Sequence, residues 1–468
     1  MKKTIYSFCT WTALACGFCW TAEAQQEGGI STAMLGQIKQ AYQHTAADRA
    51  IRNAISNNDI NKLAVNHESL NQFDTHFSHK VESKGITNQK SSGRCWLFTG
   101  LNVLRSQMIA KHQLGEFYLS QNYLFFWDQL EKANLFLQGI IDTREKPQSD
   151  QMVEWLFKNP IGDGGQFTGV SDLVMKYGIV PAEVMTETYS SEHTSRMSNL
   201  IGLKLKEFGL QLREQSSKGA KPADLLKSKT AMLGEVYRML VLNLGEPPTQ
   251  FTWTRKDAKG NPVETKEYTP QSFYQTFVGE NLQQDYVMLM NDPSRDYYKL
   301  YEIDYDRHVY DGANWTYVNL PVEDIKQMGI ASIKDSTMLY FSCDVGKFFD
   351  RERGVLDVNY YDYGSLMGTT FGMDKKQRIQ TFASGSSHAM TLMAVDLDAN
   401  GQPKKWMVEN SWGPGANSGH LIMTDEWFNE YMFRLVVNKK YITDKVKEIR
   451  KQKPIRLPAW DPMFAEED

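Results

Sequence analysis

Asn400 and Gly401 sit between two apolar runs, "HAMTLMAVDL" (388–397) and "KKWMVEN" (404–410). Asn-Gly is the commonest closing pair of a tight hairpin, because that turn needs positive φ at its centre. The two runs are therefore expected to pair as antiparallel strands, with a register set by the tip. Residue 388 then falls opposite about residue 413. His388, Asn410 and Trp412 end up side by side on neighbouring strands, and one bulge would change which face each takes.

The chain before this hairpin is mostly helical in pattern. Leu97, Leu101, Leu104 and Met108 recur at steps of four, three and four, one face of a helix beginning near Arg94 and ended by Gly115. "SQNYLFFWDQLEKANLFLQGII" predicts a second helix with Ser120 as its N-cap. "NPIGDGGQFTG" (159–169) is a glycine-rich loop running into a helix that stops near Gly178 and Pro181. Residues 195–245 are again helical, and "QFTWTRKDAKGNPVETKEYT" reads as a hairpin around Lys259, Gly260 and Asn261. Short strands alternate over 285–345. Helices early, a mainly antiparallel sheet late and a helical insert between them make an α+β plan.

The 468 residues, 41% of them hydrophobic, are enough for a large core. A net charge of -4 with scattered Lys and Arg argues against nucleic acid and anionic membranes as partners. The first 24 residues differ. Met-Lys-Lys, an apolar stretch from Ile5 to Trp20 and "AEAQ" read as a secretory leader cleaved after Ala24, which predicts export to a periplasmic or extracellular location. A buried N-terminal helix and lipidation at Cys16 are the alternatives, the second weakened by Ala13 three residues before it. No other stretch is long and apolar enough to span a bilayer. Three of the five cysteines lie in this segment, leaving Cys95 and Cys343. That is no disulfide scaffold, although a single bridge stays open, and it is too few thiolates for a zinc site, so no metal or cofactor is expected.

Cys95 stands where a helix begins, and the partial positive charge there favours a thiolate nucleophile. A buried core cysteine is the other reading. A nucleophile needs a base. His388 opens a strand behind the small residues "ASGSS"; it is either that base or a satisfied core histidine. An Asn410 carbonyl beside it can hold the imidazole ring, and the Trp412 face can shield that bond from water. Gln89, six residues before Cys95, is either a surface loop residue or an amide donor to an oxyanion, with the Cys95 N–H as second donor.

The motifs "GITNQKSSGRCWLF", "SSHAM" and "VENSWG", with "DGGQ" (163–166) and "LPAWDPM" (457–463), resemble the papain-like cysteine peptidases, and among them the bleomycin hydrolase / aminopeptidase C family. The resemblance implies a papain-like fold with a large helical insert and an N-terminal arm. It implies Cys95 as nucleophile, His388 as base, Asn410 as orienter and Gln89 as oxyanion stabiliser. It also implies aminopeptidase activity on peptides, a homohexamer with sites facing an inner chamber, and a C-terminal carboxylate, here Asp468, meeting the substrate's free amine. Gly164 and Gly165 match the glycine pair whose backbone binds substrate as a short strand, where glycine permits the close approach; a plain turn is the alternative. Trp412 borders the same site.

The chain then divides into a leader (1–24), an arm with short helices (25–80), a papain-like helical part with the nucleophile (81–190), a helical insert with a hairpin (191–285), a β part with His388 and Asn410 (286–456) and a tail directed at the site (457–468). Two departures stand out. Family members are typically cytosolic, and their chains usually end in small apolar residues rather than "FAEED". Three rivals follow: an exported endopeptidase, an inactive chamber or binding protein of the same fold, and a Cys-His-Asp acyltransferase using Asp396. The natural substrate and its first residue are not legible.

Overall fold

The structure is a computed structural model and describes residues 28–70 and 74–464. The chain forms two compact units that meet in sequence between Ala64 and Val65. The first contains the helices Thr32–Ala41, Ala46–Ile55 and Ile60–Ala64. Ser31 caps the first, and Thr45 with Asp48 makes a reciprocal capping box on the second.

In the second unit helices pack against a twelve-stranded mixed sheet. The helix expected from Leu97 to Met108 runs from Cys95 to His112 and buries most of its length. It stops at Gln113, in the left-handed region (φ 51), before the expected Gly115. Ser120 caps the Gln121–Asp142 helix by accepting from the Tyr123 N–H, as its position predicts. The Phe167–Tyr177 helix ends at Gly178 (φ 74), where an added Cβ would collide with the Pro270 backbone at 2.3 Å. Two long helices, Ser195–Ser217 and Pro222–Leu244, pack on the Gln121–Asp142 helix through Ile201, Leu205, Val236 and Leu240.

Strands Phe251–Lys256 and Pro262–Tyr268 form the expected hairpin, its turn held by Asp257 accepting from the Lys259 and Asn261 amides. In the large sheet the pairing is mostly antiparallel, and His388–Leu397 lies near the centre between Leu339–Cys343 and Pro403–Glu409. The hairpin closes through a five-residue connection between Leu397 and Pro403 rather than a tight Asn-Gly turn: Gly401 N–H donates to Asp398 O at 3.0 Å, and of Asn400 and Gly401 only Gly401 takes a positive φ (79). Val395 faces Trp406 near the tip; a bulge between Leu392 and Ala394 then shifts the pairing, so that Thr391 faces Glu409. The bulge moves the register by one residue and keeps His388 at the level of the Asn410–Trp412 segment. One core lies among the helices around Leu97, Leu124 and Val170; a second lies on the sheet around Phe341, Leu392 and Trp406. Cys95 stands in the first and Cys343 in the second, and no disulfide joins them.

Candidate active site

Four chain segments far apart in sequence build the site. The first is the turn before the Cys95–His112 helix. Cys95 is the first helical residue and is fully buried. Its Sγ accepts from the backbone N–H of Ala389 at 3.4 Å, which sets it beside the residue following His388. The second segment is the start of the His388–Leu397 strand. His388 Nε2 lies 2.8 Å from Asn410 Oδ1. The indole of Trp412 stacks on the imidazole with centroids 4.7 Å apart and planes 29° apart. His388 and Asn410 are buried while Trp412 is partly exposed.

The third segment, 410–413, is tied directly to the first. Asn88 and Trp412 form a β-bridge, Gln89 N–H donates to Ser411 O at 2.8 Å, and Gly413 N–H donates to Thr87 O at 2.9 Å. The side chains repeat the link. Ser411 Oγ donates to Gln89 Oε1 at 2.7 Å, and Gln89 Nε2 donates to Ser92 O at 2.7 Å. A primary amide has two N–H donors, so Ser92 occupies one of them. Asn410 Oδ1 also accepts from the Ser411 N–H at 2.7 Å, which fixes its orientation toward His388.

The fourth segment is the glycine-rich loop. Asp163 accepts from Gly93 N–H at 2.8 Å and from the Thr194 hydroxyl, and Trp96 Nε1 donates to Asp163 O at 2.9 Å. Gly164 and Gly165 are thereby held next to the Cys95 turn. Lys132 Nζ donates to the carbonyls of Gly162 and Gly164 from beneath. His308 packs so closely that a Cβ on Gly165 would lie 2.3 Å from its ring, and its Nδ1 is 2.5 Å from Asp128 Oδ1. Burial alone would raise the Asp128 carboxyl, but Lys132 and His308 outweigh it and hold it below the usual range.

Several of these supports have no local signature. Arg94 is fully buried beside Cys95, ion-paired to Glu187 at 2.9 Å, bonded to Ser92 Oγ at 3.0 Å and set over the rings of Phe98 and Phe125. Burial pulls its guanidinium below the ordinary value and Glu187 pulls it back up. Arg105, on the Cys95 helix, pairs with Glu409 at 2.7 Å, one residue before Asn410, and both are buried. Their partners lie tens to hundreds of residues away, so no sequence window contains both ends. Asp396, the rival orienter, sits at the far end of the strand from His388, where Lys404 pairs with it at 2.6 Å. Eight residue steps along the strand separate the two, about 26 Å. Asp468 lies outside the described residues; the chain leading to it is held by Arg434 on Met463 O and by Arg295 on Asp461. Among the described residues no group of three or more His, Cys, Asp or Glu is arranged to hold a metal ion, and no helix is long and apolar enough to cross a membrane.

Residues 29–464 match the model of the Peptidase C1-like family. The chain is 38% identical to bleomycin hydrolase of Homo sapiens, over 88% of this chain and 93% of that one. It is 36% identical to aminopeptidase C of Lactobacillus delbrueckii subsp. lactis, with the same coverages. Its fold superposes on the crystal structure of PepW from Lactobacillus rhamnosis with a TM-score of 0.90 and 38% identity, covering 94% of this chain and 99% of that one. These relatives correct the exported location expected from residues 1–24. Bleomycin hydrolase and aminopeptidase C are cytosolic enzymes. The leader-like segment itself lies outside the described residues.

Proposed function

This chain belongs to the Peptidase C1-like family and is a cysteine peptidase of α+β, papain-like fold, and from that premise we propose that it is a thiol aminopeptidase working through Cys95, His388, Asn410 and Gln89. The relatives named bleomycin hydrolase and aminopeptidase C support removal of residues from peptide N-termini. The observation that carries the assignment of residues is the convergence of the Ala389 N–H on Cys95 Sγ with the His388–Asn410 bond.

The chemistry follows from that arrangement. Cys95 as thiolate, favoured by its place at the head of an eighteen-residue helix, attacks the scissile carbonyl. The second N–H of Gln89 Nε2 and the Cys95 backbone N–H stabilise the oxyanion. His388 gives its proton to the departing amine, forming a thioester, and then takes a proton from the water that cleaves it. Asn410 keeps the ring in place and Trp412 keeps water off the bond between them. Gly165 pairs with the acyl side of the substrate as an added strand. The C-terminal tail, with Asp468 at its end, reads the free amine, and six copies of the chain assemble into a chamber.

Paired peptides, one with a free N-terminus and one acetylated, test this. The full chain should release the first residue of the free peptide and leave the acetylated one intact, and Cys95→Ala should cleave neither. Equal cleavage of both makes it an endopeptidase; full activity in Cys95→Ala removes the nucleophile assignment. A solution mass near that of one 53.7 kDa chain would exclude the hexamer.

A further inference from the structure

The side of the site that receives the leaving group carries a cation that the proposed reaction does not use. Arg351 lies in the turn between strands Phe349–Asp350 and Val355–Leu356. Its guanidinium carbon is 5.9 Å from the centre of the Trp412 ring and 5.4 Å from that of Phe349. Trp412 in turn lies on His388. The Trp412 indole thus contacts both the buried imidazole and the exposed guanidinium.

The backbone under Arg351 is fixed. Asp350 accepts from the amides of Glu352 and Arg353 and pairs with the Arg353 side chain at 2.5 Å. Gly354 takes a positive φ of 66 against Ala416 and the Asn417 amide, and Asn417 Nδ2 donates to Arg353 O at 2.8 Å. Asp350 is thus committed to Arg353. Among the described residues Arg351 makes no ion pair, with neighbouring Glu352 or with any other carboxylate, and its side chain is exposed. An aromatic face beneath a guanidinium holds it in place without neutralising it.

From this geometry we infer that Arg351 and Trp412 form a subsite for a carboxylate on the leaving side of the scissile bond. The inference rests on the aminopeptidase reading above, because that reading sends the departing amine toward His388 and so past Trp412. An extended peptide advances about 3.5 Å per residue, which brings the first or second residue beyond the scissile bond to the guanidinium. The carboxylate has two sources of the same chemistry: the C-terminal α-carboxylate of a very short peptide, or an Asp or Glu side chain in a longer one. Arg351 is then a specificity-determining residue that favours short peptides or acidic residues after the cleaved bond.

The experiment compares four dipeptides that share a first residue: Leu-Ala as free acid and as amide, and the amides of Leu-Glu and Leu-Gln. kcat/KM is measured at low and high salt for the full chain and for Arg351→Gln. In the wild type the charged member of at least one pair should be favoured about fivefold, chiefly through KM, as for a lightly shielded ion pair. That preference should shrink as salt rises and disappear in Arg351→Gln, with Arg351→Lys keeping part of it. A response confined to the acid–amide pair identifies the α-carboxylate; one confined to the Glu–Gln pair identifies the side chain. If the charged-to-neutral ratios are the same in wild type and Arg351→Gln, the subsite is overturned while the peptidase assignment stands. If the wild type cleaves none of the four and Cys95→Ala is indistinguishable from it, the aminopeptidase reading fails and takes the subsite with it.

Discussion

His388 Nε2 and Asn410 Oδ1 are 2.8 Å apart, under the indole of Trp412. The bond decides which ring nitrogen is left for the sulfur in the proposed reaction. A carbonyl oxygen only accepts, so Nε2 carries the hydrogen here, and the proposed proton exchange with Cys95 falls to Nδ1. Asn410 cannot swing away, because its Oδ1 also accepts from the Ser411 N–H.

A graded series of losses follows. His388→Ala removes the proton donor and acceptor and should lower kcat by at least about 10³-fold. Asn410→Ala leaves the ring stacked on Trp412 and should cost roughly 10- to 100-fold. Asp396→Ala should stay within about twofold, since its carboxylate serves Lys404 at the other end of the strand. Turnover of a free-amine dipeptide measures all three. A greater loss in Asp396→Ala than in Asn410→Ala would reverse the choice of orienter.

Gln89 joins the nucleophile's turn to the Asn410 segment through both ends of its amide. Gln89→Ala should lower kcat about 10²-fold with little change in KM, the behaviour of a donor used only in the transition state. Ser411→Ala should cost only several-fold, because the Gln89 N–H to Ser411 O bond survives and still locates the turn. A KM effect without a kcat effect in Gln89→Ala would make it a substrate-binding residue instead.

How much of this was readable depends on how local each signal is. The Asn400-Gly401 turn placed His388, Asn410 and Trp412 on adjacent strands because a hairpin register is counted from its own tip; the bulge at Leu392–Ala394 shifted it by one residue without separating them. The start of the Cys95 helix and its apolar face were likewise local. Its end was not: Gly115 marks the end of the pattern, but the chain turns at Gln113. Lys132 under the glycine loop, the His308–Asp128 pair and Arg94 with Glu187 were out of reach, since a buried charge announces its partner only once the chain is folded. The strand order, with Met432–Asn438 inserted beside Leu339–Cys343, is also a long-range matter that periodicity does not carry.

Arg105 and Glu409 offer a stability test of the same architecture. The pair is 3% and 1% exposed and joins the Cys95 helix to the strand that precedes Asn410. Arg105→Met leaves the Glu409 carboxylate buried with only the Ser83 hydroxyl and should cost about 3–5 kcal/mol. Arg105→Met combined with Glu409→Leu should cost much less, because no unpaired charge then remains. Urea midpoints of the two variants give the comparison. Equal losses would mean that the pair itself, rather than the stranded carboxylate, holds helix and strand together.

Asp172 makes part of the fold's stability depend on pH. It lies on the helix that follows the glycine pair, is 4% exposed, and accepts from Gln283 Nε2 at 2.7 Å. Burial raises its carboxyl from 3.8 to about 6, and the charge of Asp311 adds to that. Between those values the folded chain holds a proton that the unfolded chain has released. The stabilisation is therefore complete below about pH 4 and is lost as pH rises through about 6. At about 1.4 kcal/mol per pH unit, the folded state gives up about 3 kcal/mol across that window. Asp172→Asn keeps an oxygen for Gln283 and has no proton to lose. It should be more stable than the wild type by about 3 kcal/mol at pH 7.5, with the gap unchanged down to about pH 6 and narrowing from there toward pH 4. Other carboxylates titrate in both proteins, so the difference between their urea midpoints isolates this one. A gap that does not change with pH would show that Asp172 titrates alike in the folded and unfolded chains, and that Gln283 rather than burial governs it.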